Sequence, residues 1–335
     1  MKEAMFYELI DKDKGIIKCL LCPKECLIKK SQVGFCRTRE NIDNQLYSLI
    51  YSKVSSYGMD PIEKKPLYHF CPGIMVLSLG SIGCNFACAF CQNWTISQAN
   101  IKDVQVEELS PEKAIQLALQ NNSPAICYTY SEPLIWYEYV LDTARLAKKN
   151  NLKNILVTNG FINREPLIKL LPFINAMNID LKSFRNSFYQ KYSKGSLSPV
   201  LNTIELSKEY CHIEITNLMI PGLNDNEEEI KEMVDWIFSL SEDIPLHFSR
   251  YFPCYKMDIE ATPISTLYKA RDIAQKKLKY VYVGNIWDEE ANATYCGNCK
   301  KLLIKRAGYN IINLGLNKNG KCKFCGEQVV CSAND

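Results

Sequence analysis

One short stretch of the chain places three cysteines at a spacing that suits an iron–sulfur cluster. In the cysteine loop (residues 83–94), Cys84, Cys88 and Cys91 are separated by three and then two residues, and Phe90 directly precedes the third cysteine. Three thiolates from a compact loop can bind three irons of a cubane [4Fe–4S] cluster. The fourth iron then has no protein ligand, which suits a cluster that binds a small molecule better than one that only carries electrons.

The residues before this loop predict where it lies in the fold. The apolar run 74–79 is typical of a buried strand, and Gly80 and Gly83 end it. Parallel α/β barrels carry their active sites at the carboxyl ends of their strands. The alternatives are a zinc knuckle or three unrelated thiols, but zinc sites usually pair two Cys-x2-Cys units and give Phe90 no role.

After the first strand, strand-like and helix-like segments alternate, as a parallel barrel requires. The predicted strands are 74–79, 125–130, 154–158, 175–180, 212–219, 245–250 and 280–284. The predicted helices are 111–121, 134–149, 164–171, 200–209, 226–241 and 265–277. The fold class is therefore α/β, a partial (βα)6 barrel of the TIM type with 280–284 as an additional strand.

Composition restricts the class of protein. The 335 residues suffice for one large domain with small additions, and 47% hydrophobic residues are ordinary for a globular protein. A net charge of +3 gives no indication of a nucleic-acid partner. No stretch approaches the roughly 20 apolar residues of a membrane-spanning helix, and the first residues lack the apolar core of a signal peptide. Many of the 16 cysteines cluster at metal-like spacings, which favours the cytoplasm.

Four cysteines near the amino terminus form a second group. This N-terminal cysteine set consists of Cys19, Cys22, Cys26 and Cys36. The surrounding segment, residues 1–70, lacks helical periodicity, so a metal would substitute for a missing core. Zinc and a second iron–sulfur cluster both fit the spacing, and free thiols are the third alternative.

Four more cysteines form two Cys-x2-Cys units near the carboxyl terminus. This C-terminal cysteine set consists of Cys296, Cys299, Cys322 and Cys325, with Gly297 and Gly326 beside it for tight turns. The pattern predicts a rubredoxin-like zinc ribbon with a structural role, because four thiolates leave no open position on the metal. We therefore predict three domains: the Cys-rich segment 1–70, the barrel 71–290 and the ribbon 291–335.

The cysteine loop resembles the radical S-adenosylmethionine (radical SAM) superfamily, whose signature is Cys-x3-Cys-x-Φ-Cys with an aromatic Φ. The similarity extends to the pyruvate formate-lyase-activating-enzyme-like branch, and most closely to the radical SAM enzyme of the AmmeMemoRadiSam system. It covers nearly the whole chain. The matching stretches include 19–23, 34–37, 60–70, 84–94, 128–133, 159–160, 180–182, 220–225, 247–250, 280–285 and the C-terminal ribbon.

The resemblance implies a [4Fe–4S] cluster whose open iron chelates the amino and carboxylate groups of SAM. Ser131-Glu132-Pro133 stands where relatives carry a Gly-Gly-Glu-Pro that holds the SAM amino group, with Tyr130-Ser131 in place of the glycines. Phe90 would pack near the adenine. The implied cofactor-binding residues are Phe90, Asn93, Ser131, Glu132, Asn159, Asp180, Lys182 and His247.

The implied activity is reductive cleavage of SAM to a 5′-deoxyadenosyl radical, which abstracts hydrogen from an unidentified substrate. One alternative is an activating enzyme for a glycyl-radical enzyme, although the ferredoxin-like cysteine insert of many such enzymes is absent from the sequence. Another class is an electron-transfer or metal-carrier protein. The implied partners are an electron donor such as ferredoxin or flavodoxin and Memo-like and AMMECR-type proteins, with no nucleic acid and no membrane.

The segment 60–70 has two interpretations. Two prolines around a charged run favour a solvated connector on composition alone. The resemblance favours a site role instead, with the segment across the barrel mouth and Glu63, Lys64 or His69 facing the substrate.

Overall fold

The computed structural model describes residues 1–331, and the chain opens with two small three-stranded antiparallel sheets. Alternate side chains along these strands are buried, as in β3 and β5, so each sheet has one face in the core. The strand β7 pairs with a later strand instead. The bounds are β1 (Lys2–Glu3), β2 (Tyr7–Asp11), β3 (Ile16–Cys19), β4 (Leu27–Lys29), β5 (Arg39–Ile42), β6 (Gln45–Ser48) and β7 (Lys53–Val54).

A sheet of eight strands forms the centre of the fold. Seven strands run parallel in chain order, and the first, β8, pairs antiparallel with β9. The short strand β10 (Glu107–Glu108) pairs with β7 outside this sheet. The bounds are β8 (Ser56–Pro61), β9 (Met75–Gly80), β11 (Ala125–Thr129), β12 (Lys153–Thr158), β13 (Ala176–Asp180), β14 (His212–Met219), β15 (Leu246–Arg250) and β16 (Val281–Gly284).

Helices follow the parallel strands and cover the sheet, so the predicted α/β partial-barrel fold is confirmed. The predicted helix 134–149 starts later, because the Glu132 side chain caps a 3-10 turn at Pro133–Trp136. A short unpredicted helix continues into a π-helix at Tyr189–Ser193. The bounds are α1 (Trp94–Ser97), α2 (Pro111–Gln120), α3 (Tyr137–Lys149), α4 (Arg164–Leu170), α5 (Asn186–Phe188), α6 (Ser198–Lys208), α7 (Glu227–Leu240) and α8 (Ile264–Ala274).

The segment 60–70 enters the barrel from the amino ends of the strands. The Ile62 N–H donates to the Ile74 carbonyl, just before β9 begins. Ile62, Leu67 and Phe70 are buried in a cluster that includes Ala125, the first residue of β11. The expectation that this segment crosses the barrel mouth is therefore wrong: the cysteine loop leaves the carboxyl end of β9, at the opposite end of the barrel.

The last part of the chain covers the amino end of the barrel. This part forms a three-stranded antiparallel sheet of β17 (Thr294–Tyr295), β18 (Leu302–Ala307) and β19 (Asn310–Asn313), in which β18 and β19 pair as a hairpin. The Cys71 N–H donates to the Cys331 carbonyl (3.0 Å), and the Cys331 N–H donates to the His69 carbonyl (2.8 Å). These bonds join the end of the described chain to the segment that precedes β9.

The predicted domain boundaries at 70 and 290 stay predictions, and β8 pairs with β9 across the first of them. Among the described residues, no helix has the length and apolar character needed to cross a lipid bilayer.

Candidate active site

The cysteine loop begins three residues after β9 and is held by backbone hydrogen bonds on both sides. The Gly83 N–H donates to the Ile96 carbonyl (3.0 Å), which closes the loop onto α1. The Ala87 N–H donates to the Ser193 carbonyl and the Ala89 N–H to the Tyr192 carbonyl, each at 2.9 Å. The π-helix that the sequence did not predict therefore fixes the middle of the loop.

The Cys84 sulfur receives hydrogen bonds from its own loop and from the neighbouring strand. The Phe86 N–H donates to Cys84 Sγ at 3.3 Å, and Asn159 Nδ2 lies 3.6 Å from the same sulfur. Asn159 directly follows β12, so the end of a parallel strand orients the loop. Asn159 is one of the residues that the sequence resemblance implied for cofactor binding.

The other two sulfurs each lie beside a serine that sequence reasoning missed. Ser193 Oγ is 3.3 Å from Cys88 Sγ, and Ser97 Oγ is 3.1 Å from Cys91 Sγ. Burial raises the pKa of the Cys88 thiol to about 11, against the lowering effects of Lys182 and Ser193. The position of Ser97, six residues after Cys91 in the chain, could have indicated that it lies near the cluster ligands. Nothing in the local sequence indicated that Ser193 does.

Glu132 joins the ends of two strands. Its Oε1 accepts hydrogen bonds from the Leu134 N–H (2.9 Å) and Thr158 Oγ1 (2.6 Å), and its Oε2 accepts from the Asn159 N–H (2.9 Å). Burial raises the pKa of this carboxyl group to about 7, although these three hydrogen bonds lower it. The carboxylate therefore holds Asn159 in place beside Cys84.

Tyr130 adopts a backbone conformation that favours glycine. Its φ is +70°, in the left-handed region that non-glycine residues rarely adopt. Its carbonyl accepts a hydrogen bond from Asn93 Nδ2 at 2.7 Å, which links the end of the cysteine loop to the turn after β11. The half-buried Ser131 follows directly. A glycine would adopt this conformation without strain.

Phe90, Asp180 and Lys182 lie on the side of the loop near Cys88. Lys182 Nζ is 2.9 Å from Asp180 Oδ2 and 5.9 Å from the centre of the Phe90 ring. Burial alone would lower the pKa of Lys182, but the charges of Asp180 and Cys88 raise it above its ordinary value. Phe90 is buried and packs on Phe188, with ring centres 5.8 Å apart.

Comparison with known proteins identifies the family. The family model of the radical SAM superfamily matches residues 79–237, which contain the cysteine loop and the strands just described. An uncharacterized protein of Methanocaldococcus jannaschii is 46% identical, over 98% of this chain and 99% of that protein. The chain belongs to the radical SAM superfamily.

Two further proteins are less similar in sequence. The pyruvate formate-lyase 1-activating enzyme of Escherichia coli is 28% identical over 162 residues, 47% of this chain and 65% of that enzyme. The crystal structure of Streptococcus suis SuiB superposes with a TM-score of 0.50 and 13% identity, over 67% of this chain and 52% of that chain. At this identity, the second likeness concerns the fold alone.

His247 lies inside the radical SAM barrel in a network of buried polar groups. Its Nε2 is 2.7 Å from Glu214 Oε2, and its ring packs edge-on against Tyr68, with ring centres 4.8 Å apart. Glu214 is fully buried and also accepts from the Tyr68 and His69 N–H groups at 3.0 and 2.7 Å. Burial would raise the pKa of Glu214, but hydrogen bonds from His212 and His247 hold it well below its usual range.

This network ties the segment 60–70 to β14 and β15, and sequence reasoning missed its centre, Glu214. The available signal was the alternation of His212, Glu214 and Thr216 along β14, which places polar side chains on one face of a strand.

The three residues of the segment 60–70 that were expected to face a substrate make hydrogen bonds within the protein instead. Glu63 accepts from the Gly73 N–H, Lys64 pairs with Asp60, and both ring nitrogens of His69 are hydrogen-bonded.

The C-terminal cysteine set converges on one point. Cys296 Sγ lies 3.5 Å from Cys325 Sγ, Cys299 Sγ lies 3.7 Å from Cys322 Sγ, and all four sulfurs are within 4.8 Å of one another. Four sulfurs at about 2.3 Å from a tetrahedral zinc would be about 3.8 Å apart, so these residues fit the ion. Burial raises the pKa of Cys322, but the Phe324 and Cys325 N–H groups lower it to about 7.

The N-terminal cysteine set surrounds a cavity beside the cysteine loop. All four cysteines line it, together with Asn85 of the loop. Cys19 and Cys36 are buried, and Cys22 and Cys26 are half-buried.

Proposed function

We propose that this protein binds a [4Fe–4S] cluster through Cys84, Cys88 and Cys91 and uses it to cleave SAM reductively. When bound, the cluster and SAM would supply a 5′-deoxyadenosyl radical that abstracts hydrogen from a substrate in the barrel. The observation that carries this proposal is the loop itself. Three cysteines of the radical SAM pattern lie at the carboxyl end of the barrel, and each sulfur has its own polar neighbour.

The residues around the loop have distinct proposed roles. Asn159 and the two serines would donate hydrogen bonds to the cysteine sulfurs, which tune a cluster's reduction potential. The Tyr130 carbonyl and the Asp180–Lys182 pair are the polar groups available to orient SAM. Phe90 would exclude water beside them. Glu132 acts through Asn159 and is a positioning residue.

The test compares Cys88→Ala with Cys211→Ala, a cysteine outside all three groups. After anaerobic reconstitution and reduction with dithionite, 5′-deoxyadenosine and methionine are measured. We expect wild type and Cys211→Ala to form both products and Cys88→Ala to form neither. Reductive cleavage retained in Cys88→Ala would overturn the proposal. If the wild type binds iron but never forms 5′-deoxyadenosine, an electron-transfer or metal-carrier role is favoured instead.

A second candidate is activation of a glycyl-radical enzyme, favoured by the 28% identity to the pyruvate formate-lyase 1-activating enzyme. In that case a protein backbone glycine is the substrate. Incubation with a glycyl-radical enzyme from the same cell would give the doublet signal of a glycyl radical by electron paramagnetic resonance (EPR). Cys88→Ala is the matched control for that signal.

We also propose that the protein works in the cytoplasm as part of an AmmeMemoRadiSam system. Its partners would be Memo-like and AMMECR-type proteins and a ferredoxin or flavodoxin donor. The support is the sequence resemblance at 19–23, 34–37, 60–70 and 247–250. Affinity purification of the native protein under anaerobic conditions would recover the two partner types, and their absence from a stable complex would count against this assignment.

We propose, finally, one structural zinc at the C-terminal cysteine set. The support is the spacing of 3.5 and 3.7 Å between paired sulfurs and the backbone N–H groups that lower the pKa of Cys322. With four thiolate ligands the ion has no open position, so its role is to hold the ribbon together.

A further inference from the structure

We infer that the N-terminal cysteine set holds a second [4Fe–4S] cluster, placed directly beside the cysteine loop. Cys19 ends β3, Cys22 and Cys26 lie in the connection to β4, and Cys36 precedes β5. Four cysteines supply one ligand for each of the four irons, so this cluster has no open iron. It would carry electrons rather than bind SAM.

The four cysteines of the N-terminal set face one shared space. All four line a single small cavity. The other lining residues include apolar side chains that shield a cluster from water: Leu21, Ile28, Phe35 and Ile135.

The distances between the sulfurs favour a cluster over a single zinc ion. Among residues 1–331, one group of three or more potential metal ligands has all its ligand atoms within 4.8 Å of one another. That group is the C-terminal cysteine set. No three sulfurs of the N-terminal set therefore come together as closely as one zinc requires. In a [4Fe–4S] cluster each sulfur binds a different iron, so the ligands stand farther apart. The cysteine loop has the same open arrangement.

The charges around the cavity also favour an anionic occupant. Cluster and thiolates together are anionic, and the cavity is lined by two cationic side chains, Arg39 and Lys24, and by one acid, Glu25, which pairs with Lys18. The Arg39 guanidinium is 1% exposed and pairs with Glu138 at 2.6 Å, while its Nε has no hydrogen-bond partner among the described residues. A buried cation beside the cavity stabilises an anionic occupant.

The N-terminal cysteine set is in contact with the cysteine loop. A Cβ added to Gly83, which has a φ of +84°, would lie 2.6 Å from the Cys36 carbonyl oxygen, so the two backbones touch. Asn85 lines the cavity, and its Oδ1 accepts from Asn159 Nδ2 at 2.9 Å. Only residues adjacent to the ligands separate the two groups of cysteines.

This placement makes the second cluster an electron relay, a role that rests on the proposed function. A ferredoxin-type donor would give it one electron, taking its core from the 2+ to the 1+ state. Passing that electron to the cluster of the cysteine loop returns it to 2+. That electron is the one that reductive cleavage of SAM consumes.

The test of the site uses a variant that leaves the N-terminal set intact. Cys84→Ala, Cys88→Ala and Cys91→Ala are combined, and the protein is reconstituted anaerobically. We expect about four irons and four sulfides per chain, with the Mössbauer spectrum of a [4Fe–4S] cluster, against about eight irons in wild type and in Cys211→Ala. Adding Cys22→Ala and Cys36→Ala should remove the remaining iron. A triple variant without iron, with a second zinc, or with four thiols open to alkylation overturns the proposal.

The relay is tested separately from the site. Reduced wild type should show an EPR spectrum broadened by interaction between two clusters, unlike the sum of the two single-cluster variants. Cys22→Ala/Cys36→Ala should lose more SAM cleavage with a ferredoxin donor than with dithionite. An additive spectrum and equal losses overturn the relay. If the wild type binds about eight irons but cleaves no SAM, the proposed function fails while the second cluster stands.

Discussion

The N-terminal and C-terminal cysteine sets each contain four cysteines, but the backbone holds the sulfurs at different distances in the two sets. In the C-terminal set, two tight turns bring paired sulfurs to 3.5 and 3.7 Å, the separation around one zinc. In the N-terminal set, no three sulfurs approach within 4.8 Å, and a cavity lies between them. The comparison teaches that the distance across space, rather than the count of cysteines, selects the metal.

The two sets also lie at opposite ends of the barrel. The N-terminal set touches the cysteine loop at the carboxyl ends of the strands, where the chemistry is proposed. The C-terminal set packs against Tyr280 and Tyr282 at the start of β16, far along the strands from that loop. The first position suits a role in electron supply and the second a role in stability.

The largest effect is expected from loss of the zinc, and it tests the difference between the two cysteine sets. Cys299→Ser should remove the ion, and since structural zinc contributes about 10–16 kcal/mol in zinc-finger peptides, the ribbon should unfold locally. Hydrogen exchange should then rise across 291–331 and stay unchanged in 1–55, with iron content unaffected. Cys331→Ala, in the same region but outside the set, is the matched control. A fully protected ribbon in Cys299→Ser would break the contrast.

The next effect concerns the N-terminal module, which depends on a buried ion pair. Arg39→Leu leaves Glu138 buried without its partner, which should lower the free energy of unfolding by about 3–5 kcal/mol. Lys30→Leu removes the exposed pair with Asp43 and should leave the free energy of unfolding nearly unchanged, because solvent screens this pair. Denaturant unfolding measures both. Equal costs in the two variants would show that this module does not rely on the buried pair.

The smallest effect is a pH dependence at the ribbon end. His69 Nδ1–H donates to the Val329 carbonyl and Nε2 accepts from the Tyr282 hydroxyl, each at 2.6 Å. Burial, with smaller effects of His212 and Arg306, lowers the pKa of His69 to about 4, although Glu214 and the hydrogen bond to Val329 raise it. Because this pKa is below the unfolded value of about 6.5, its stabilising contribution is complete above pH 6.5 and is lost toward pH 4.

Between pH 7 and pH 5 this loss amounts to about 2 kcal/mol. The melting temperature of wild type should therefore fall more than that of His69→Gln over the same range. Acid effects on the thiolates are common to both proteins and cancel in the comparison. A parallel fall in the two proteins would show that His69 does not couple the ribbon to the barrel.

The strands and helices of the barrel were predictable because they are long, periodic and bounded by turn residues. The strand predicted at 212–219 is found at His212–Met219, and the run 74–79 at Met75–Gly80. The cysteine loop was equally clear, because its spacing is local in sequence.

Features that depend on tertiary contacts were not predictable. The charged segment 60–70 looked like a solvated loop, but Lys65 is 2% exposed, since it pairs with Asp60 and stacks on the Tyr130 ring. Ser193 reaches Cys88 from a π-helix that has no sequence signature. The sequence could not decide between zinc and an iron–sulfur cluster at the N-terminal set, because spacing along the chain does not give the distance between sulfurs.

X-ray absorption at the iron and zinc edges of one anaerobic wild-type preparation tests the contrast most directly. We predict about eight irons and one zinc per chain, with four sulfurs at about 2.3 Å around the zinc and short iron–iron distances at the iron edge. About four irons and two zincs, each zinc with four sulfur neighbours, would contradict it.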